Sequence, residues 1–210
     1  MWFTAARCAK CALHRIFAWT RARSDARLAG MTPEKSTSYF RGRVVQVTVD
    51  EVVLPNGHRT ELDVVHHPGG AAAVALDANR RICLLRQYRY VADGWVWELP
   101  AGKLEPQEAP LRTAQRELAE EAGFEARQWH SLGSYLSSPG VFTEVIHLFL
   151  ATDLSPAPSS HEAAEVIEVH WLALDEAYRW ALDGTIRDGK TALGVLRAAS
   201  QPIRDASHSP

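Results

Sequence analysis

Three glutamates crowd the second half of one short predicted helix. The stretch from Gly102 to Phe124, GKLEPQEAPLRTAQRELAEEAGF, opens as a loop and places Pro110 where a first helical turn accepts proline. It closes on Gly123, the residue type that ends a helix in the left-handed conformation. These signals predict a helix from Pro110 to Ala122. Successive helical residues are about 100° apart, so Leu111, Ala114, Leu118 and Ala122 form one apolar stripe that must lie against another layer. Glu117 and Glu121, four apart, run along one edge of that stripe, and Glu120 turns away from them toward Arg116. Like charges this close repel unless they are solvated or neutralised. A solvated acidic face and a cation site both answer to that constraint.

The rest of the chain supplies the layer. Alternating apolar and polar residues flank the turn signal Asn56-Gly57 in GRVVQVTVDEVVLPNGHRTELDVVHHPG, which predicts a β-hairpin. AAAVALD and RICLLRQYRY read as two strands joined at DANR, and GWVWELPAG as a short strand with a Pro-Ala-Gly stop. SLGSYLSSPG reads as a loop, EVIHLFLATD as a strand, SPAPSSHEAAE as a polar loop and VIEVHWLAL as a strand. LDEAYRWALDG and KTALGVLRAAS close the chain as two helices. Strands outnumber helices without regular alternation, so the expected class is a mixed α/β (α+β) fold, helices packed on a mixed sheet, and not a doubly wound parallel one.

The 210 residues suit one domain with a flanking segment, and 46% apolar content is enough for a core. The net charge of −2 singles out neither nucleic acid nor an anionic membrane as a partner, and no apolar run has the length of a membrane span. Three cysteines (Cys8, Cys11 and Cys83) do not make a disulfide framework and suggest a reducing compartment. Residues 1–30 are rich in Ala and Arg with Asp25 as the single acid. They read either as an amphipathic targeting peptide or as a poorly ordered, non-native extension ahead of Met31. Cys8 and Cys11 form a CxxC with no second metal-binding pair, so two incidental thiols are expected there. The expected location is cytoplasmic, or mitochondrial if the extension is a targeting peptide.

The pattern G-x5-E-x7-R-E-L-x-E-E-x-G-F is complete from Gly102 to Phe124, through Glu108, Arg116, Glu117, Leu118, Glu120, Glu121 and Gly123. It resembles the Nudix box, the signature of hydrolases that split a nucleoside diphosphate linked to another moiety. The resemblance extends over about Tyr39 to Ser200. It implies a Nudix-type α/β/α sandwich with a mixed sheet and a small N-terminal antiparallel β-segment. It also implies two to three Mg²⁺ (or Mn²⁺) ions per site, on Glu117, Glu120, Glu121 and the Ala101 carbonyl. Hard oxygen ligands suit such ions, which polarise phosphoryl oxygens and acidify a bound water. Arg116 and Glu108 are expected to orient the metal-binding glutamates, with Arg116 and Glu120 in the catalytic set.

Features outside the box resemble the ADP-ribose pyrophosphatase branch. Pro139 lies fifteen residues past Phe124 in SSPGVFTEVIHLFLA, and LLRQYRY…WVWELPAGKLE carries Arg86, Arg89 and Glu98. The resemblance implies substrate contacts at Arg86, Arg89, Glu98 and Pro139; an arginine fork can bond two phosphate oxygens at once. In bland terms Pro139 is a turn former, the arginines a solvated strand face, and Trp95 and Trp97 core or interface residues. Residues 31–68 are expected to be a dimerising β-segment that completes a partner's adenine pocket, 69–200 the hydrolase domain and 201–210 a tail. The general base is expected in the loop before the last strand, with Glu165 the first candidate and Glu162 the second. The expected activity is hydrolysis of ADP-ribose to AMP and ribose 5-phosphate by a homodimer acting on a small molecule. GDP- or UDP-sugars or a dinucleotide are alternative substrates, and a non-catalytic binding module is the alternative of another class.

Overall fold

The computed structural model describes residues 32–161 and 165–201. The N-terminal CxxC, Glu162 and the last nine residues lie outside the described residues. Strands β1 (Lys35–Arg41), β2 (Gln46–Val53) and β3 (Arg59–His66) form an antiparallel sheet in that order. The predicted turn joins β2 to β3: Asn56 Oδ1 accepts the His58 N–H, and Gly57 takes φ 82°. Strand β1 was not foreseen. All seven of its residues are exposed, so no apolar alternation marks it.

The body of the chain comprises β4 (Gly70–Ala75), β5 (Arg81–Arg89), β6 (Gly94–Glu98), β7 (Ala101–Lys103), α1 (Pro110–Ala122), β8 (Phe124–Leu136), β9 (Val145–Pro156), β10 (Ile167–Ala173), α2 (Leu174–Asp183) and α3 (Gly189–Ala199). A four-stranded sheet has the order β7-β4-β9-β8, and its β4–β9 pair is parallel while the others are antiparallel. A three-stranded antiparallel sheet has the order β10-β5-β6. The architecture is thus mixed α/β, with helices on both faces.

Strand β4 shows why two layers are needed: every one of its residues is buried. Side chains alternate across a strand. Ala71, Ala73 and Ala75 pack with Ala114, Leu118 and Ala122 of α1, and Ala72 and Val74 pack with Val195 and Ala198 of α3. The small side chains of β4 let α1 approach closely. Helix α1 has the predicted bounds, with Gly123 as its cap at φ 74°. Its buried face is Thr113, Ala114, Glu117, Leu118, Glu121 and Ala122, while Leu111 is only half-buried. Two carboxylates therefore lie within the buried face itself. Leu118 is fully buried, and Leu118→Ala is expected to cost about 2–5 kcal/mol in urea unfolding.

Strand β8 corrects the sequence expectation at SLGSYL. It runs straight from the α1 cap and pairs with β9 as far as Leu136↔Val145. The Ser and Gly that suggest a loop instead carry a register shift between Ser131 and Gly133, with Gly133 at φ 87°. Among the described residues no helix is long and apolar enough to cross a membrane.

Candidate active site

A cleft of about 590 Å³ opens beside α1 and β7 and reaches across to the N-terminus of α3. Its acidic wall is the α1 edge. Glu117 and Glu121 are 8% and 4% exposed, whereas the Glu120 side chain is 42% exposed. Strand β7 explains how two acids tolerate this position. The Ala101 N–H donates to Glu121 Oε2 at 2.8 Å. The Glu117 carboxylate lies directly over Gly102, where a built Cβ would come within 1.7 Å of Glu117 Oε1. The box glycine is thus required by space and not by an unusual φ.

Arg116 gathers the remaining acids. Its Nη1 donates to Glu117 Oε1 at 2.7 Å and to Glu120 Oε2 at 3.0 Å. Its Nε and Nη2 form a fork on the Glu108 carboxylate, both at 3.2 Å. Glu108 also accepts the Thr113 hydroxyl at 2.8 Å. So Glu108 touches Arg116, and it is Arg116 that touches the glutamates. The Arg116 hydrogen bonds hold the Glu108 carboxyl down to about 2, and the same contact raises Arg116 above its ordinary value.

Burial pushes the Glu121 carboxyl up to about 8, with the charges of Glu117 and Glu165 adding to it and the Ala101 N–H opposing. Burial likewise raises Glu117 against the pull of Arg116, with Glu120 and Glu165 reinforcing the rise. Both ionised forms are disfavoured, as expected of carboxylates gathered for a cation. Among the described residues no group of three or more His, Cys, Asp or Glu side chains is arranged to hold a metal ion by itself. An oxygen-lined wall open to solvent still fits Mg²⁺, which keeps several waters and takes few protein ligands.

The loop after β9 is tied to the end of α1. The Gly123, Glu120 and Glu121 carbonyls accept hydrogen bonds from Ala157 N–H, Ser160 N–H and His161 Nε2, each at 2.9 Å. This docking brings Glu165 to the cleft lining beside Glu117 and Glu121. Glu162, the second candidate for general base, lies outside the described residues.

Besides Arg116 and Lys103, further cations line the cleft away from α1. Gln87 and Arg89 of β5 and Asp188 and Lys190 at the start of α3 line it. Arg89 grips Glu98 with Nε at 2.7 Å and Nη2 at 2.9 Å. Lys190 Nζ pairs with Glu98 Oε2, which also accepts from Arg89 Nη2, and lies 3.0 Å from Asp188 Oδ2. Burial would raise Glu98, but the Arg89 hydrogen bonds and the Lys190 charge outweigh it and hold the carboxyl down to about 2. Glu98, expected at substrate, is instead 4% exposed beneath these two cations.

Two other residues expected at substrate also lie outside the cleft lining. Arg86 projects from the opposite face of β5, 5.1 Å over the Trp95 ring and 3.5 Å from Glu168. The two-residue period of a strand separates it from Arg89. Pro139 is exposed and outside the cleft lining, where its loop contributes Ser137 and Glu144. Of the box residues, Leu118 is core and Phe124 stacks edge-on to Trp171 at 5.2 Å.

Asp188, Lys190, Tyr135, Ser137, His67 and Glu144 also line the cleft, and none of them belongs to the residues expected from sequence. His67 Nδ1 and Glu144 Oε1 are 3.0 Å apart. One signal was available: Asp188 three residues before Thr191 is an N-cap pattern, and Asp188 Oδ2 does accept the Thr191 N–H at 3.0 Å.

Comparison with known proteins agrees with this geometry. The NUDIX domain model matches residues 66–192. The methanol dehydrogenase activator of Bacillus methanolicus is 40% identical over 163 residues, spanning 77% of this chain and 88% of the relative. The ADP-ribose pyrophosphatase of Bacillus subtilis (strain 168) is 35% identical over 158 residues, spanning 74% of this chain and 85% of the relative. A crystal structure of an ADP compounds hydrolase superposes with TM-score 0.69 at 20% identity, covering 80% of this chain and 91% of that one, and so shares the fold. A domain match over more than half of the chain, with relatives aligned across most of their own length, shows that this chain belongs to the NUDIX domain family.

Proposed function

We propose that this chain hydrolyses the diphosphate of ADP-ribose, giving AMP and ribose 5-phosphate. The observation that carries the reading is one cleft that gathers the α1 carboxylates with Arg89 and Lys190 around a space that can hold a diphosphate. The Bacillus subtilis relative named as an ADP-ribose pyrophosphatase supports the choice of substrate. The Bacillus methanolicus relative is named for its effect on another enzyme, whereas the cleft bears on small-molecule chemistry.

Nudix hydrolases are in general divalent-metal enzymes. Here Glu117, Glu120, Glu121 and the Ala101 carbonyl would hold Mg²⁺ or Mn²⁺, two to three ions, which neutralise the diphosphate and make a bound water more acidic. Glu165 takes the proton of the attacking water from its place beside Glu117 and Glu121. One P–O bond forms from water, the bridging P–O bond breaks, and attack at either phosphorus gives the same two products. Arg116 keeps Glu117 and Glu120 oriented during this exchange. Tyr135, Ser137 and Glu144 offer polar groups to sugar hydroxyls at the far end of the cleft.

The test is incubation with ADP-ribose and Mg²⁺, with AMP read by chromatography and GDP-mannose and UDP-glucose run beside it. The expected result is a kcat/KM for ADP-ribose at least ~10-fold above either rival, a difference of about 1.4 kcal/mol in transition-state binding. The reverse ranking would replace the substrate, and no turnover of any of the three would favour a non-catalytic module.

The protein is further proposed to be a homodimer built on the β1-β2-β3 sheet. Tyr39, Phe40, Val44 and Leu62 of this segment are exposed, and large apolar side chains left bare on a small β-segment are a natural contact for a second copy. Light scattering at micromolar concentration is expected to give twice the chain mass. A fully active monomer would remove the N-terminal segment from the site.

A further inference from the structure

Arg89 is committed before any substrate arrives. Its fork is spent on Glu98, a carboxylate 4% exposed, although Arg89 itself lines the cleft. If Arg89 turned to a phosphate with no other cation at hand, Glu98 would be stranded as a buried, unpaired charge, which is the costly way to break a buried pair. The structure holds a second cation at that carboxylate. Lys190 Nζ pairs with Glu98 Oε2, the same oxygen that accepts from Arg89 Nη2. Lys190 is itself fixed, 3.0 Å from Asp188. Asp188 is held in turn by the Thr191 N–H at 3.0 Å and by the Thr191 hydroxyl, which also accepts the Leu99 N–H at 2.8 Å. The α3 N-terminus is thus bolted to the end of β6, with Lys190 aimed at Glu98.

We propose that Lys190 is a positioning residue: it keeps Glu98 neutralised so that Arg89 can exchange that carboxylate for a phosphate oxygen of the substrate. A lysine suits this post. Its ammonium is a compact charge with three donors, enough to hold Glu98 and Asp188 together. When Arg89 withdraws, Lys190 stays between Glu98 and Asp188, and Asp188 keeps the Thr191 N–H and hydroxyl as further donors. The proposal rests on the reading that the cleft binds a diphosphate, but not on which sugar follows it.

The test is a double-mutant cycle on Lys190 and Glu98, read as the Kd for ADP with Mg²⁺ by titration calorimetry and as KM and kcat for ADP-ribose. Lys190→Met leaves Glu98 with Arg89 alone and locks the pair. ADP binding is expected to weaken about tenfold or more, with the loss falling on KM, as for an interaction made equally in ground and transition states. Adding Glu98→Gln removes the charge that must be neutralised, so Lys190→Met/Glu98→Gln is expected to bind ADP within about threefold of Glu98→Gln alone. Lys190→Arg is expected to restore most of the binding. A double variant that binds ADP about tenfold more weakly than Glu98→Gln makes Lys190 a direct phosphate ligand and overturns the proposal. So does a Lys190→Met protein with lowered Tm but unchanged Kd and KM, since the role is then structural. If Lys190→Met does not fold, the comparison of the double variant with Glu98→Gln still decides. A wild type that binds ADP with this coupling but leaves ADP-ribose intact retains the proposal and discards the substrate. A wild type that neither binds ADP nor hydrolyses ADP-ribose discards both.

Discussion

Glu121→Gln is expected to lose at least about a hundredfold in kcat, about 2.7 kcal/mol of transition-state stabilisation, while the protein becomes no less stable. The shape of the side chain is kept, and the amide oxygen can still accept the Ala101 N–H that now reaches Glu121 Oε2 at 2.8 Å. The charge is lost. Burial raises the Glu121 carboxyl from its ordinary 4.5 to about 8 in the folded protein. A carboxyl whose folded pKa lies above its unfolded one binds the proton more tightly when folded, so its contribution to stability falls as pH rises from about 4.5 to 8. Glutamine has no such dependence. In excess EDTA, Tm of the variant at pH 7.5 is therefore expected to equal or exceed that of the wild type, and to decline less between pH 5 and 8, the variant still retaining Glu117. Full activity in Glu121→Gln, or undiminished turnover in EDTA, would falsify the assignment of this wall to a metal.

Gly102→Ala is expected to remove activity by about a hundredfold with a small loss of stability, about 1–3 kcal/mol from overpacking. A Cβ at Gly102 would fall 1.7 Å from Glu117 Oε1 and 2.2 Å from its Cδ. Only the end of a flexible side chain blocks it, so the strand can survive by expelling the carboxylate. What is expelled is the group placed to hold the cation, and Arg116 Nη1 would follow Glu117 or lose it. The measurement is kcat/KM beside Tm. Activity within about threefold of wild type would show that the close approach of Glu117 to β7 has no part in the reaction. A collapse of Tm would instead make Gly102 a packing residue.

The two variants separate contributions that the sequence presents together. Gly102 and Glu121 belong to one 23-residue pattern, yet Gly102 acts by leaving space and Glu121 by charge. Leu118 and Phe124, in the same pattern, serve packing.

Elements with local signals were legible in the residues themselves. Pro110 at the first turn and Gly123 at the cap bound α1, and Asn56-Gly57 turned β2 into β3. The spacing of Glu117, Glu120 and Glu121 put two acids on the sheet side and left Glu120 more exposed, but Arg116 bonds Glu117 as well as Glu120, which the spacing did not foretell. The two-residue period placed Arg86 and Arg89 on opposite faces of one strand. It could not say which face meets the cleft, because that depends on where α1 packs. Strand β1 and the far end of β8 were also beyond reach: one exposes every residue, and the other is held by pairing with β9 and not by its own composition. The cluster of Arg89, Glu98, Asp188 and Lys190 depends on contacts far apart in the chain. Lys190 meets Glu98, and Thr191 meets Leu99, each across 92 residues of chain. Local propensity acts over a few neighbours, whereas a buried ion pair gains its meaning only when folding brings both partners out of water together.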